Sequence, residues 1–169
     1  MNRIEERFQR LRQEGQKGFV VYIGAGDPDL DATHDLALAF DDIGVDVLEL
    51  GVPFSDPLAD GLVNQLAAQR GLDSGTTLGT LLQTVSRLRE SSGIPIVLYV
   101  YFNLLHKWGL AEFVQAAAAA GVDGLLVLDL PPEESGGLRV AHGCIWPVPD
   151  LSRRADHAAG SGRIDRQAR

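Results

Sequence analysis

Hydrophobic positions along the chain follow two alternating periodicities, which predict strands that alternate with helices. Short runs of β-branched, aromatic and aliphatic residues predict buried strands at 19–23, 45–50, 94–101 and 124–129. Apolar residues at helical spacing predict helices at 4–11, 29–44, 62–73, 77–91 and 110–120. Strands that alternate with helices are typical of right-handed βαβ units, so we expect an α/β fold with a parallel sheet.

Four such units fit two architectures. A doubly wound sheet, as in a small flavodoxin-like binding protein, is complete with about five strands. A (β/α)8 TIM barrel needs about 250 residues, so a chain of 169 residues would hold about half of one. The barrel is favoured because its active site lies at the carboxyl ends of the strands. Polar residues end all four predicted strands: Asp27, Glu49, Asn103 and Asp129.

The pattern changes near Ser135, which predicts a boundary between residues 1–135 and 136–169. Residues 136–169 contain six Arg and three Asp and are therefore net positive. Of the 15 basic and 23 acidic residues in the chain, nine basic and 20 acidic residues remain in 1–135, which is strongly negative. Residues 140–148 have only weak strand character, so we expect a poorly ordered tail. A reading-frame shift is our hypothesis for this Arg-, Gly- and Ala-rich mixture. A natural truncation with a divergent linker is the alternative.

Composition excludes several classes of protein. The net charge of −8 argues against a nucleic acid partner. No run of about 18 apolar residues predicts a membrane span, and the N-terminus lacks the apolar stretch of a signal peptide, so we expect a cytoplasmic protein. The single cysteine, Cys144, and four scattered histidines have no metal-ligand spacing. We therefore expect no metal site.

Two carboxylates around the second predicted strand are the strongest candidates for chemistry. Strand alternation places Glu49 on the same face as Val47, which would be the barrel interior. Burial there would raise the pKa of Glu49 and suit it to acid–base work near neutral pH. Asp60 follows a loop stiffened by two prolines and can return over the same mouth in a more solvated setting. A paired structural carboxylate and a turn aspartate remain the alternative interpretation.

The sequence of residues 48–61, LELGVPFSDPLADG, resembles the signature of the tryptophan synthase α subunit family. Segments 22–29, 74–78 and 121–135 resemble that family in the same order, so the resemblance covers about residues 1–135. It implies a (β/α)8 barrel that cleaves indole-3-glycerol phosphate into indole and glyceraldehyde 3-phosphate during tryptophan biosynthesis. In this reaction Glu49 would protonate the indole ring carbon, and Asp60 would accept a hydrogen bond from the indole N–H.

The resemblance also implies a partner. Family members assemble with a β subunit as an α2β2 complex, and the pyridoxal phosphate belongs to that β subunit. The resemblance therefore implies that this chain binds no cofactor. The loop with Pro53, Asp56 and Pro57 would face the β subunit.

The family's phosphate-binding turns have no counterpart in residues 136–169. We therefore expect this chain to be weakly active or inactive, because binding energy from a remote phosphate helps to fix the reacting centre. A non-catalytic fragment that binds the β subunit is the alternative. A half barrel would also leave two strand edges unpaired, which favours self-association.

Overall fold

Four parallel strands alternate with helices along the chain in the computed structural model, which describes residues 2–130, 140, 141, 144 and 145. The strands are β1 (Val20–Gly24), β2 (Val47–Gly51), β3 (Ile96–Val100), β4 (Gly124–Val127), β5 (Val140–Ala141) and β6 (Cys144–Ile145). The helices are α1 (Arg3–Glu14), α2 (Leu30–Asp42), α3 (Leu62–Asp73), α4 (Leu78–Leu88), α5 (Phe102–Trp108) and α6 (Leu110–Ala120). The predicted alternation is confirmed, and α5 is a helix that the periodicity did not predict.

The order of the strands distinguishes the two architectures that the sequence allowed. The sheet runs β1-β2-β3-β4-β6-β5, so each parallel strand lies beside the next one in the chain. A flavodoxin-like sheet would instead place the first strand between the second and third. The sequential order is that of a (β/α)8 barrel, which confirms the predicted fold class of about four β/α units with an N-terminal helix.

The edge of β4 differs from expectation. β6 pairs with it in antiparallel register, with Ile145 opposite Leu125 and Cys144 opposite Leu126. The expectation of two unpaired edges is therefore wrong at this part of β4, whereas β1 remains an edge strand. The predicted poor order of the tail concerns residues that lie, apart from β5 and β6, outside the described part of the chain.

The two faces of the parallel sheet bury different partners. Residues of the outer face, such as Leu48, Leu98 and Leu125, pack with the helices in one large apolar core. The inner face carries a smaller cluster in which Val47 and Val97 contact Ile4 of α1. Helix α1 therefore covers the amino-terminal end of the inner face and leaves the carboxyl end for other side chains.

Ion pairs to a buried carboxylate attach α1 to the sheet. Asp123, at the start of β4, accepts hydrogen bonds from Arg3 of α1 (2.9 Å), from Arg89 (2.8 Å) and from the Ile96 backbone N–H (2.9 Å). Arg89 also donates to the carbonyl oxygens of Gly121 and Ile94. Burial lowers the pKa of Arg89 to about 10, so its guanidinium stays charged at neutral pH.

We expect Arg89→Ala to reduce the free energy of unfolding by about 3 kcal/mol, because it leaves a buried carboxylate with too few partners. Urea unfolding followed by circular dichroism measures the loss. Arg87→Ala is the matched control, since Arg87 pairs with Asp31 in an exposed bridge and should cost less than about 1 kcal/mol. Equal losses in the two variants would contradict the assigned role of Arg89.

Candidate active site

Glu49 lies in the middle of β2 on the inner face, as strand alternation predicts. It is in register with Tyr22 of β1 and Val97 of β3, and its side chain is partly buried. Burial raises the pKa of the Glu49 carboxyl above its ordinary value. No ion pair to Glu49 is present among the described residues, so a cation does not offset this burial. The carboxyl is therefore suited to hold and release a proton nearer neutral pH than an exposed glutamate.

Asp60 ends the loop after β2 and returns to the same mouth. The Tyr101 hydroxyl donates a hydrogen bond to Asp60 Oδ2 at 2.8 Å. Asp60 Oδ1 is buried and accepts no hydrogen bond from the described residues. The expectation of a more solvated carboxylate is thus wrong for this oxygen, because the loop folds back over it. One buried acceptor is therefore left without a donor in the described part of the chain.

Three tyrosines surround the two carboxylates, and the sequence reasoning assigned them no role. The rings of Tyr22 and Tyr99 meet edge to face with centroids 5.2 Å apart, and the Tyr101 ring lies 5.1 Å from that of Phe54. Burial, together with the charge of Asp60, raises the pKa of Tyr22 to about 12. Burial and the hydrogen bond to Asp60 raise the pKa of Tyr101 to about 12. The spacing of 99 and 101, two apart after an apolar run, was the signal that could have found two of them.

Gly51 makes room for one of these rings. It shares the inner face with Glu49, and a Cβ at this position would lie only 2.7 Å from Cζ of Tyr22. The Tyr22 side chain therefore reaches across β2, on the mouth side of Glu49.

The other polar residues at strand ends do not join this site. Asp27 forms two hydrogen bonds with Arg70 of α3, at 2.8 and 2.7 Å, and these lower the pKa of Asp27. Asp129 accepts from the Phe102 backbone N–H at 2.6 Å and so caps the start of α5. Asn103 is exposed on α5.

The loop between β2 and α3 presents part of its length to solvent. Asp56 is exposed and Leu58 is 85% exposed, whereas Pro53 is buried. Pro53 packs so closely on α3 that a Cβ at Gly71 would lie 3.2 Å from its Cβ. Of the three residues expected to face a partner, Asp56 and the partly buried Pro57 are accessible and Pro53 anchors the loop.

Neither a metal centre nor a membrane span is found in the described part of the chain. Residues there include no group of three or more His, Cys, Asp or Glu that could hold a metal ion. No described helix has the length and hydrophobicity needed to cross a membrane. The expected lack of a cofactor stays a prediction.

Comparison with known proteins identifies the family of the chain. The family model described as tryptophan synthase alpha chain matches residues 8–143. The chain belongs to the tryptophan synthase alpha chain family. The resemblance drawn from residues 48–61 is therefore confirmed.

Individual members show how much of the family the chain represents. It is 48% identical over 134 residues to the tryptophan synthase alpha chain of Caldanaerobacter subterraneus, covering 79% of this chain and 51% of the relative. It is 49% identical over 173 residues to that of Citrifermentans bemidjiense, covering 97% of this chain and 65% of the relative. The chain thus spans about half to two thirds of the length of these curated relatives.

A solved structure agrees with the fold. Tryptophan synthase subunit alpha from Legionella pneumophila superposes with a TM-score of 0.79 at 40% identity, covering 81% of this chain and 53% of the other. Both the family model and the Citrifermentans alignment run past residue 135. The boundary at 135 stays a prediction.

We expect the stability of the chain to fall as pH rises through the raised folded-state pKa of Glu49. Between the ordinary glutamate pKa and that raised value, the folded state holds a proton that the unfolded state has lost, so raising the pH disfavours folding. Glu49→Gln should therefore be more stable than the unchanged chain at pH 7, and this advantage should vanish below about pH 4. Urea unfolding at a series of pH values measures the difference.

Glu112→Gln is the control for that experiment, because it removes one carboxylate from the exposed face of α6. A stability difference between Glu49→Gln and the unchanged chain that does not vary with pH would contradict a desolvated Glu49.

Proposed function

We propose that this chain carries the acid–base part of a site that cleaves indole-3-glycerol phosphate into indole and glyceraldehyde 3-phosphate, a carbon–carbon lyase step of tryptophan biosynthesis. The observation that supports this most directly is the unlike pair of carboxylates at one mouth. Burial raises the pKa of Glu49, while Asp60 keeps a buried acceptor oxygen that has no donor among the described residues. Pairs of carboxylates with different surroundings can divide acid and base roles.

The reaction needs a proton at one ring carbon and stabilisation of the charge that this proton creates. Glu49 would donate its proton to the indole carbon that bears the side chain, which makes the ring cationic. The hydroxyl group on the attached side-chain carbon then gives its O–H proton to the Glu49 carboxylate, and the bond between this carbon and the ring breaks. The carbon becomes the aldehyde, and the electron pair of the broken bond neutralises the ring cation. Asp60 would accept a hydrogen bond from the ring N–H and so stabilise the positive charge on the ring before indole leaves.

The exposed part of the loop after β2 supports a second element of the proposal, contact with a tryptophan synthase β subunit. Short backbone hydrogen bonds shape its tip, from Leu58 N–H to Asp56 O (2.9 Å) and from Asp60 N–H to Pro57 O (3.1 Å). Asp56, Pro57 and Leu58 would contact the partner, and the pyridoxal phosphate would belong to the β subunit. The same tip leads directly to Asp60, so the partner would lie next to the site.

We expect a polypeptide of these 169 residues to produce indole from indole-3-glycerol phosphate at less than about one tenth of the rate of a full-length relative. The reason is that binding of a non-reacting phosphate helps to orient the reacting atoms, and these residues span only 51% and 65% of the length of two relatives, so we expect the family's phosphate turns in the part that they do not span. A steady-state assay of indole measures the rate. A rate within about tenfold of the relative would contradict this expectation.

A chimera separates the acid–base role from the missing phosphate contacts. Residues 8–130 of this chain would replace the equivalent segment of the Citrifermentans relative, to which the chain is 49% identical. We expect indole production by the chimera, and a loss of about 10²- to 10⁴-fold on Glu49→Gln. Glu112→Gln is the control. A Glu49→Gln chimera as active as its parent would overturn the proposed function.

We expect Asp56→Ala to weaken capture of a tryptophan synthase β subunit about tenfold, because it removes an exposed charge from the proposed contact. Titration of immobilised β subunit with each variant measures the affinity. Asp42→Ala, an exposed carboxylate at the end of α2, should bind like the unchanged chain. Equal binding of both variants contradicts the contact, and capture without turnover favours the non-catalytic binding fragment.

A further inference from the structure

Tyr101 contacts the Asp60 loop at both of its ends. It follows β3 directly in extended backbone, two residues beyond Tyr99 and on the same face, and it is 5% exposed. Its ring packs on Phe54, near the start of the loop, with centroids 5.1 Å apart. Its hydroxyl lies at the end of the loop, where it donates to Asp60 Oδ2 at 2.8 Å and accepts from the Ala59 backbone N–H at 3.0 Å.

The other hydrogen bonds of the loop do not hold the Asp60 carboxylate. Val52 N–H donates to the Tyr99 carbonyl where the loop leaves the sheet, and the bonds near its tip are local. Gln65 donates to the main-chain carbonyl of Asp60 at 2.8 Å and leaves its carboxylate untouched. Among the described residues, the Tyr101 hydroxyl donates to the Asp60 carboxylate at 2.8 Å and also bonds the neighbouring main chain. Tyr99 lies near the same carboxylate, and burial together with the charge of Asp60 raises the pKa of Tyr99.

The carboxylate sits in an orientation that it would not keep unaided. A buried carboxylate oxygen without a donor is unfavourable, and Asp60 Oδ1 is in that position among the described residues. Rotation of the side chain, or a shift of the exposed Ala59 segment, would hydrate it. Tyr101 opposes both movements, because its hydroxyl bonds Oδ2 and the Ala59 N–H at once.

We propose that Tyr101 is a positioning residue that holds Asp60 so that Oδ1 is the carboxylate oxygen that accepts from a planar aromatic ligand carrying a ring N–H. This inference rests on the proposed function, because it assigns a cause to the N–H recognition expected of Asp60. Tyr101 itself need not touch the ligand, since its hydroxyl already donates one hydrogen bond and accepts another within the chain. Its contribution is to select which carboxylate oxygen meets the N–H.

The test compares two ligands that differ in that N–H. Indole and benzofuran have the same bicyclic shape, but benzofuran has a ring oxygen in place of the N–H. We expect the unchanged chain to bind indole about tenfold more tightly than benzofuran, as measured by NMR titration. In Tyr101→Phe the ratio should fall to about two, while the ring contact with Phe54 is kept.

Gln65→Ala is the matched control, because it removes a hydrogen bond to the Asp60 backbone and none to its carboxylate. It should keep the preference for indole. A Tyr101→Phe chain that keeps the tenfold preference would overturn the positioning role and leave the proposed function standing. An unchanged chain without any preference for indole would overturn both.

Hydrogen exchange provides a readout that needs neither ligand nor turnover. Ala59 is exposed, so its amide should exchange slowly only because Tyr101 accepts from it. We expect exchange about tenfold faster in Tyr101→Phe than in the unchanged chain. An Ala59 amide that is unprotected in the unchanged chain would overturn the inference without any variant.

Discussion

The buried carboxylate of Asp123 joins the amino-terminal ends of the strands to helix α1. This carboxylate accepts hydrogen bonds from the guanidinium groups of Arg3 and Arg89 and from the backbone N–H of Ile96 in the neighbouring strand. The Asn2 side chain also donates a hydrogen bond to the main-chain carbonyl oxygen of Asp123, at 2.8 Å. With α1 held in this way, Ile4 covers the lower inner face, and the opposite end of that face is left for the candidate site.

The two ends of the sheet treat buried carboxylates in opposite ways. Asp123 is 4% exposed and fully paired, which is how a protein stabilises a buried charge. Glu49 has no cation beside it among the described residues, and Asp60 has one buried oxygen without a donor. The first arrangement stabilises the fold. The second costs stability and leaves proton-transfer and acceptor capacity for a ligand.

Tyrosines make the second arrangement possible. The Tyr101 hydroxyl gives Asp60 a hydrogen-bond donor without adding a positive charge. A lysine or arginine in place of Tyr101 would bind Asp60 more strongly, but it would also lower the pKa of Glu49 and oppose the acid role. Gly51 is needed for the same arrangement of tyrosines, because a side chain at this position would displace the Tyr22 ring.

The sequence alone determined the alternation of strands and helices, the face on which Glu49 lies and the family, through residues 48–61. These features depend on local backbone geometry or on a contiguous run of residues, so they can be read one segment at a time. Tertiary structure decided which polar strand ends form a site: Asp27 is paired with Arg70, 43 positions away, and Asp129 caps α5. It also brought Tyr101 to Asp60 across 41 positions and buried Oδ1. Such contacts depend on how the loop packs back on the sheet, and no periodicity along the chain records that packing.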